Sequence, residues 1–152
     1  MKQKIFILTV FFVAMAVYGQ EASKVTEILD APQLTTGQAA YIAACWFDPA
    51  NETMDFHQAT QFLVDQGMLK EGISSTDSIR LDELAGLCMK TWDIPGGLFY
   101  RLTKADRYAF KDLKALGYFS TNDDPSFTVA GFQGMSIMFK CMEYNTPALP
   151  TE

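Results

Sequence analysis

The sequence predicts an all-α protein. Three observations carry that reading. Apolar residues recur at i, i+3, i+4 and i+7 through most of the chain, the spacing that places them on one face of a helix. Capping residues stand before these stretches and glycines after several of them. No segment alternates apolar and polar residues in the period of a strand.

Residues 1–19 have the layout of a secretory signal peptide. Lys2 and Lys4 form a basic start, Ile5 to Tyr18 is an uncharged apolar run, and small residues allow cleavage after Ala16 or after Gly19. The rival reading, a membrane anchor, needs about 20 apolar residues, and this run is shorter. No cysteine stands at either junction, which disfavours a lipid-anchored form. The expectation is an exported protein of the periplasm or cell surface, with no membrane span once the signal is removed.

Residues 20–33 form an N-terminal segment in which Val25, Ile28 and Leu29 have helical spacing until Pro32 ends it. The first strong helix is expected over Thr36 to Phe47, with Thr35 and Gln38 as a capping box and Ala39, Ile42, Ala43 and Trp46 as the buried stripe. A second runs from Phe56 to about Gln66, capped by Asp55 and stopped by Gly67, with Phe56, Ala59, Phe62 and Leu63 facing inward. The stretch Ser78 to Trp92 holds a third, whose inner face is Leu84, Leu87, Cys88 and Thr91. Asp93 to Gly97 turns the chain, and Leu98 to Leu102 makes a short helical turn. Thr103 is the expected cap of a helix reaching Leu116 and Gly117. Thr128 is the expected cap of the last, in which Phe132, Met135, Ser136 and Phe139 face one way. Residues 34–145 form the domain, and the proline-containing tail 146–152 is expected to be disordered.

Charge and cysteine usage narrow the function classes. The net charge of −6 becomes −8 without Lys2 and Lys4. A chain this acidic repels phosphates and is a poor general binder of nucleic acid or anionic lipid, and nucleic acid is excluded as a partner. The three cysteines, Cys45, Cys88 and Cys141, each lie in an apolar helical stretch. They read as buried thiols, with one disulfide plus a free thiol as the alternative.

The opening stretch of the third helix recurs. Leu34-Thr35, Ile79-Arg80 and Phe127-Thr128 each place an apolar residue ahead of a cap, at spacings of 45 and 48 residues. A second element, Ala-x3-Leu-x3-Gly, appears at Ala59-Leu63-Gly67 and again, 50 residues on, at Ala109-Leu113-Gly117. The unit is a helix ending at glycine, a polar loop, and a capped helix. One such unit cannot bury its own apolar face, and several stacked units can.

This pattern resembles the S-layer homology (SLH) family, whose capped helices open on an I-T-R-A-E-like motif. The equivalents here are Ile79-Arg80-Leu81-Asp82-Glu83, Leu34-Thr35-Thr36-Gly37-Gln38 and Phe127-Thr128-Val129-Ala130-Gly131. The resemblance spans about Leu34 to Tyr144 and implies three units in a pseudo-threefold helical bundle and a cell-envelope setting. In that family a basic residue after the cap binds an anionic envelope polysaccharide. Thr36, Leu81 and Val129 hold those positions here, so the family's glycan contacts do not carry over.

Another charged feature stands out. Arg101 to Lys114 carries a net charge of +3, while the rest of the exported chain carries −11. Arg101, Lys104, Arg107, Lys111 and Lys114, flanked by Tyr108 and Tyr100, are the candidate contact residues for an anionic wall glycan or an acidic envelope protein; an ordinary solvated helix face is the competing reading. His57, the only histidine, reads as a helix-end residue, and Asp48, Asn51, Glu52 and Asp55 read as a capped loop without calcium-loop spacing. Nucleophile-elbow, zinc-protease, phosphate-loop and dinucleotide-turn motifs are absent, and no carboxylate pair is singled out. The expectation is a non-catalytic module of the bacterial envelope that needs no cofactor, acting by protein interaction or, alternatively, by binding wall polysaccharide or peptidoglycan.

Overall fold

The computed structural model of the chain describes residues 22–144. The signal-peptide and tail assignments lie outside them. The described residues form helices joined by loops: α1 (22–30), α2 (Thr36–Phe47), a 3₁₀ turn (Pro49–Thr53), α3 (Phe56–Asp65), α4 (Leu81–Thr91), α5 (Leu98–Thr103), α6 (Asp106–Ala115) and α7 (Gly131–Glu143). Only isolated β-bridges, Thr35 with Ser78 and Arg80 with Thr128, interrupt the helical content. None of these helices is long and apolar enough to cross a membrane.

Local chemistry sets several boundaries. Thr35 Oγ1 accepts the Gln38 N–H at 3.2 Å and Gln38 returns a bond to the Thr35 N–H at 3.0 Å, a complete capping box. Asp55 and Gln58 do the same for α3 at 2.7 and 2.9 Å. Gly67 and Gly117 end α3 and α6 with φ of 71° and 83°, the left-handed region in which a side chain is strained. The two glycines close equivalent turns: Met68 N–H reaches Leu63 O at 2.9 Å, and Tyr118 N–H reaches Leu113 O at 3.0 Å.

Two caps differ from expectation. Thr103 ends α5 rather than starting α6. Lys104 follows it in the left-handed region (φ 53°), and Ala105 is the N-cap of α6. Likewise α7 begins at Gly131 with Ala130 as N-cap, two residues after the expected Thr128. The third pre-helix pair is therefore Val129-Ala130, beside Leu34-Thr35 and Ile79-Arg80.

The reason lies in where the first amides of the helices go. Thr36 of α2 donates to Asp77 O at 2.8 Å, Leu81 of α4 to Phe127 O at 2.8 Å, and Gly131 of α7 to Ala31 O at 2.9 Å. Each accepting carbonyl lies in the segment ahead of the next helix in this set, so the bonds close a circuit through three helices. A helix N-terminus leaves its first amides without intrahelical partners, and here neighbouring backbone supplies one in place of a side chain. Ile79 N–H to Leu34 O (2.9 Å) and Leu34 N–H to Val129 O (2.7 Å) tighten the same junction. Leu34, Ile79 and Val129 are buried within it.

The core lies between these helices, with α4 packed most extensively on α6 and α2 on α3. Leu63, Leu84, Leu87, Leu113 and Met138 are at its centre. The inner faces of α2 and α7 differ from expectation. In α2 the buried residues include Ala39, Ala40, Ala43 and Ala44, while Ile42 is half-buried and Trp46 is exposed. In α7 Gly131, Gly134, Met135, Met138 and Cys141 face inward, Ser136 is half-buried, and Phe132 and Phe139 are exposed. Small residues take the inside because the backbones approach too closely for larger ones. A Cβ on Gly134 would stand 2.5 Å from Leu34 Cδ2, and one on Gly131 would overlap the Ile28 carbonyl. Cys88 and Cys141 are buried free thiols that neighbour each other between α4 and α7, and Cys45 is half-buried.

Candidate interaction surface

The basic segment Arg101 to Lys114 falls on two helices that meet at an angle set by the turn before α5. Asp93 has a positive φ of 46°, Ile94 is buried, and its N–H is tied to Met89 O at 3.1 Å. Gly96 then passes so close to the Tyr100 ring that a Cβ would overlap it. Gly97 N–H donates to Asp112 Oδ2 at 2.8 Å and fixes the start of α5 on α6.

That placement buries one side of α5 and bares the other. Tyr100 is inside, and burial, followed by Asp106, Asp112 and Asp93, pushes its phenol above the ordinary range. Leu98, Phe99 and Leu102 project outward, exposed by 68%, 63% and 73%. Three large apolar side chains on one six-residue helix form a contiguous patch, unlike the scattered apolar residues found on most surfaces. Phe99 stacks on Tyr108 of α6, with ring centroids 5.4 Å apart and planes at 19°.

The candidate cations distribute around this patch. Arg101 is exposed on α5. Lys104 is off the helix, so the expected single stripe is broken, and its ammonium lies 4.9 Å from the Tyr100 ring. Lys111 is 5.7 Å from the Tyr108 ring, and Arg107, one turn before it on α6, is exposed. None of these four forms a salt bridge among the described residues. The acids close by are engaged: Asp106 holds Lys70 at 2.8 Å and Asp112 holds the Gly97 amide. Lys114 turns away, donating to Asp123 O at 2.7 Å with its ammonium 5.5 Å from the Phe110 ring. The arrangement places four cations, none of them ion-paired among the described residues, around an apolar, aromatic centre.

Leu98, Phe99 and Leu102 were not among the residues singled out from the sequence. A signal was present: a helix of six residues between Gly97 and Lys104 can turn only part of Leu-Phe-Tyr-Arg-Leu inward.

A second surface lies elsewhere. An open apolar groove of about 690 Å³ runs between α1, α2 and α7, lined by Val25, Ile42, Trp46, Met135, Phe139 and Met142 among others. The acidic loop after α2 is structural: Asp48 Oδ1 accepts the Ala50 amide, Asn51 donates to Ala44 O, and Asp55 caps α3. His57 is exposed in the first turn of α3.

Comparison with protein-family models, characterised proteins and solved structures returned no match for this chain.

Proposed function

We propose that this chain is an exported, non-catalytic module of the bacterial cell envelope, built of SLH-like helical units in a pseudo-threefold bundle, and that it docks through the α5–α6 face. The closed circuit of Thr36, Leu81 and Gly131 amides supports the bundle reading, since each supposed unit completes its neighbour. Helix α1 fills the place of a leading helix for the first unit: Gly131 of α7 packs against Ile28 and bonds to Ala31 O. The residues following the three caps, Thr36, Leu81 and Gly131, are buried and uncharged, so the family's glycan contact has no counterpart there.

The observation that carries the functional reading is the exposed Leu98-Phe99-Leu102 patch with Arg101, Lys104, Arg107 and Lys111 around it, none of them ion-paired among the described residues. A protein with no use for that face gains nothing from leaving it bare. A second reading, a wall-polysaccharide or peptidoglycan binder, is favoured by the Phe99–Tyr108 stack, which offers a sugar ring a flat aromatic platform. The test is co-sedimentation of the protein with purified sacculi and with an envelope-protein fraction across a salt series, beside a Lys104→Glu/Arg107→Glu/Lys111→Glu variant. Salt-sensitive binding lost in the variant supports docking through this face, and the fraction that retains the wild type distinguishes glycan from protein. Binding that is absent, or equal in both proteins, overturns it.

A further inference from the structure

We infer that the α5–α6 face seats on an anionic lipid surface, with α5 lying in the interface as a short amphipathic anchor. The inference rests on the α5–α6 face being the docking surface and assigns its partner. The geometry has the two parts such an anchor needs. Leu98 and Leu102 lie on the side of α5 opposite Tyr100, with Phe99 beside them, so the helix has one side fixed to the protein and the other offered outward. Arg101 flanks that side on α5, Lys104 stands just past the helix end with its ammonium 4.9 Å from the Tyr100 ring, and α6 carries Arg107 and Lys111 beside the Phe99–Tyr108 stack. An interfacial helix binds by sinking its apolar face to the acyl boundary while cations at its edge meet lipid phosphates.

The apolar half of the patch is what decides against the other occupants. A wall glycan would use the cations and the Phe99–Tyr108 stack, but Leu98 and Leu102 offer its hydroxyls no hydrogen bond. An acidic protein would have to bring both carboxylates and its own apolar patch. A bilayer supplies phosphate and hydrocarbon at the depth separation that side chains on one helix can span. The exported chain's overall charge of −8 does not prevent this, because at moderate salt charge is felt over about 10 Å and the segment Arg101 to Lys114 is itself net +3 with its own acids counted. Each Lys or Arg at such a surface strengthens binding about fivefold at low salt.

The experiment is hydrogen–deuterium exchange on the protein as recovered from the producing cell. It is titrated with vesicles of phosphatidylcholine alone, vesicles of phosphatidylcholine with phosphatidylglycerol, and purified sacculi. Because the readout is local, lipid contacts made elsewhere in the chain do not confuse it. Anionic vesicles should slow the amides of residues 98–104 several-fold, and neutral vesicles much less. In Lys104→Glu/Arg107→Glu/Lys111→Glu the lipid needed for half protection should rise about a hundredfold or more. Leu98→Ser/Leu102→Ser keeps every charge and alters only exposed side chains, so it should retain the fold by circular dichroism and lose the protection. No slowing on anionic vesicles, or slowing unchanged in both variants, overturns the lipid assignment. Slowing by sacculi without slowing by vesicles also overturns it while leaving the docking face intact. Slowing by neither overturns the lipid assignment and the wall-glycan reading together.

Discussion

Asp106 occupies the space that a side chain on Gly86 would need. A Cβ built on Gly86 would overlap Asp106 Oδ1 and stand 2.9 Å from its Cγ, while the other oxygen of that carboxylate holds Lys70 at 2.8 Å. The first residue of α6 is thus wedged against the middle of α4 and pinned from the loop after α3. The ion pair itself is exposed on the lysine side and adds little, about 0–1 kcal/mol, so the fit matters more than the charge.

Gly86→Ala sets two effects against each other. Alanine gains about 1 kcal/mol of helix propensity, and overpacking costs about 1–3 kcal/mol. The expected result is a net loss of about 0–2 kcal/mol in urea unfolding. In an Asp106→Ala background the wedge is gone, and Gly86→Ala should turn neutral or stabilising. Equal losses in both backgrounds would remove Asp106 as the cause.

Gly131→Ala should be worse. Its Cβ meets a backbone carbonyl, that of Ile28, which can move only if α1 moves. A loss of about 3 kcal/mol or more is expected, together with early proteolytic release of α1. Stability within about 0.5 kcal/mol of wild type would show that α1 is readily displaced.

Leu84 and Leu113 are fully buried in the α4–α6 core, whereas Leu102 is exposed. Leu84→Ala and Leu113→Ala should each cost about 2–5 kcal/mol, and Leu102→Ala should stay within about 0.5 kcal/mol. Chemical denaturation of the three variants checks the contrast.

Stability should fall on the alkaline side. Burial, then the neighbouring Cys141 thiol, pushes the Cys88 thiol well above its ordinary 9.0, and burial raises Tyr100 and Tyr118 above 10.0. A raised folded-state pKa favours the native state fully below the unfolded value, and that contribution is lost as pH rises toward the folded one. The urea midpoint should therefore decline once pH passes about 9, and Cys88→Ala should show a shallower decline. An identical slope in that variant would assign the loss to other groups.

Much of this fold was legible in the sequence, and the exceptions share a cause. The Thr35–Gln38 box, the Asp55 cap and the two stop glycines announce themselves because side chain or φ alone sets the boundary. Thr128 misled because α7 needs no side-chain cap: its first amide is satisfied by Ala31 O, a partner a local pattern cannot display. Trp46, Phe132 and Phe139 misled for a related reason. Helices α2 and α7 are apolar nearly all round, and the side that turns inward is chosen by how closely backbones approach. Of the candidate site, the cations could be read from charge alone. A short helix signals that part of Leu98 to Leu102 must point outward, but which part depends on which side of α5 the Gly96–Gly97 turn presses onto α6.

The circuit of helix amides also dictates when folding can finish. Leu34, near the start of the described chain, waits for the carbonyl of Val129, and α7 in turn bonds back to Ala31. A chain emerging N-terminus first can pair α2 with α3 and α4 with α6, but the first amide of α4 lacks the Phe127 carbonyl, and Leu34 that of Val129, until nearly the last residues arrive. Ring closure is then a late, long-range event, and such events slow folding because distant ends must meet before they are rewarded. A polypeptide still threading through a channel would remain open and pliable, and would lock only on release.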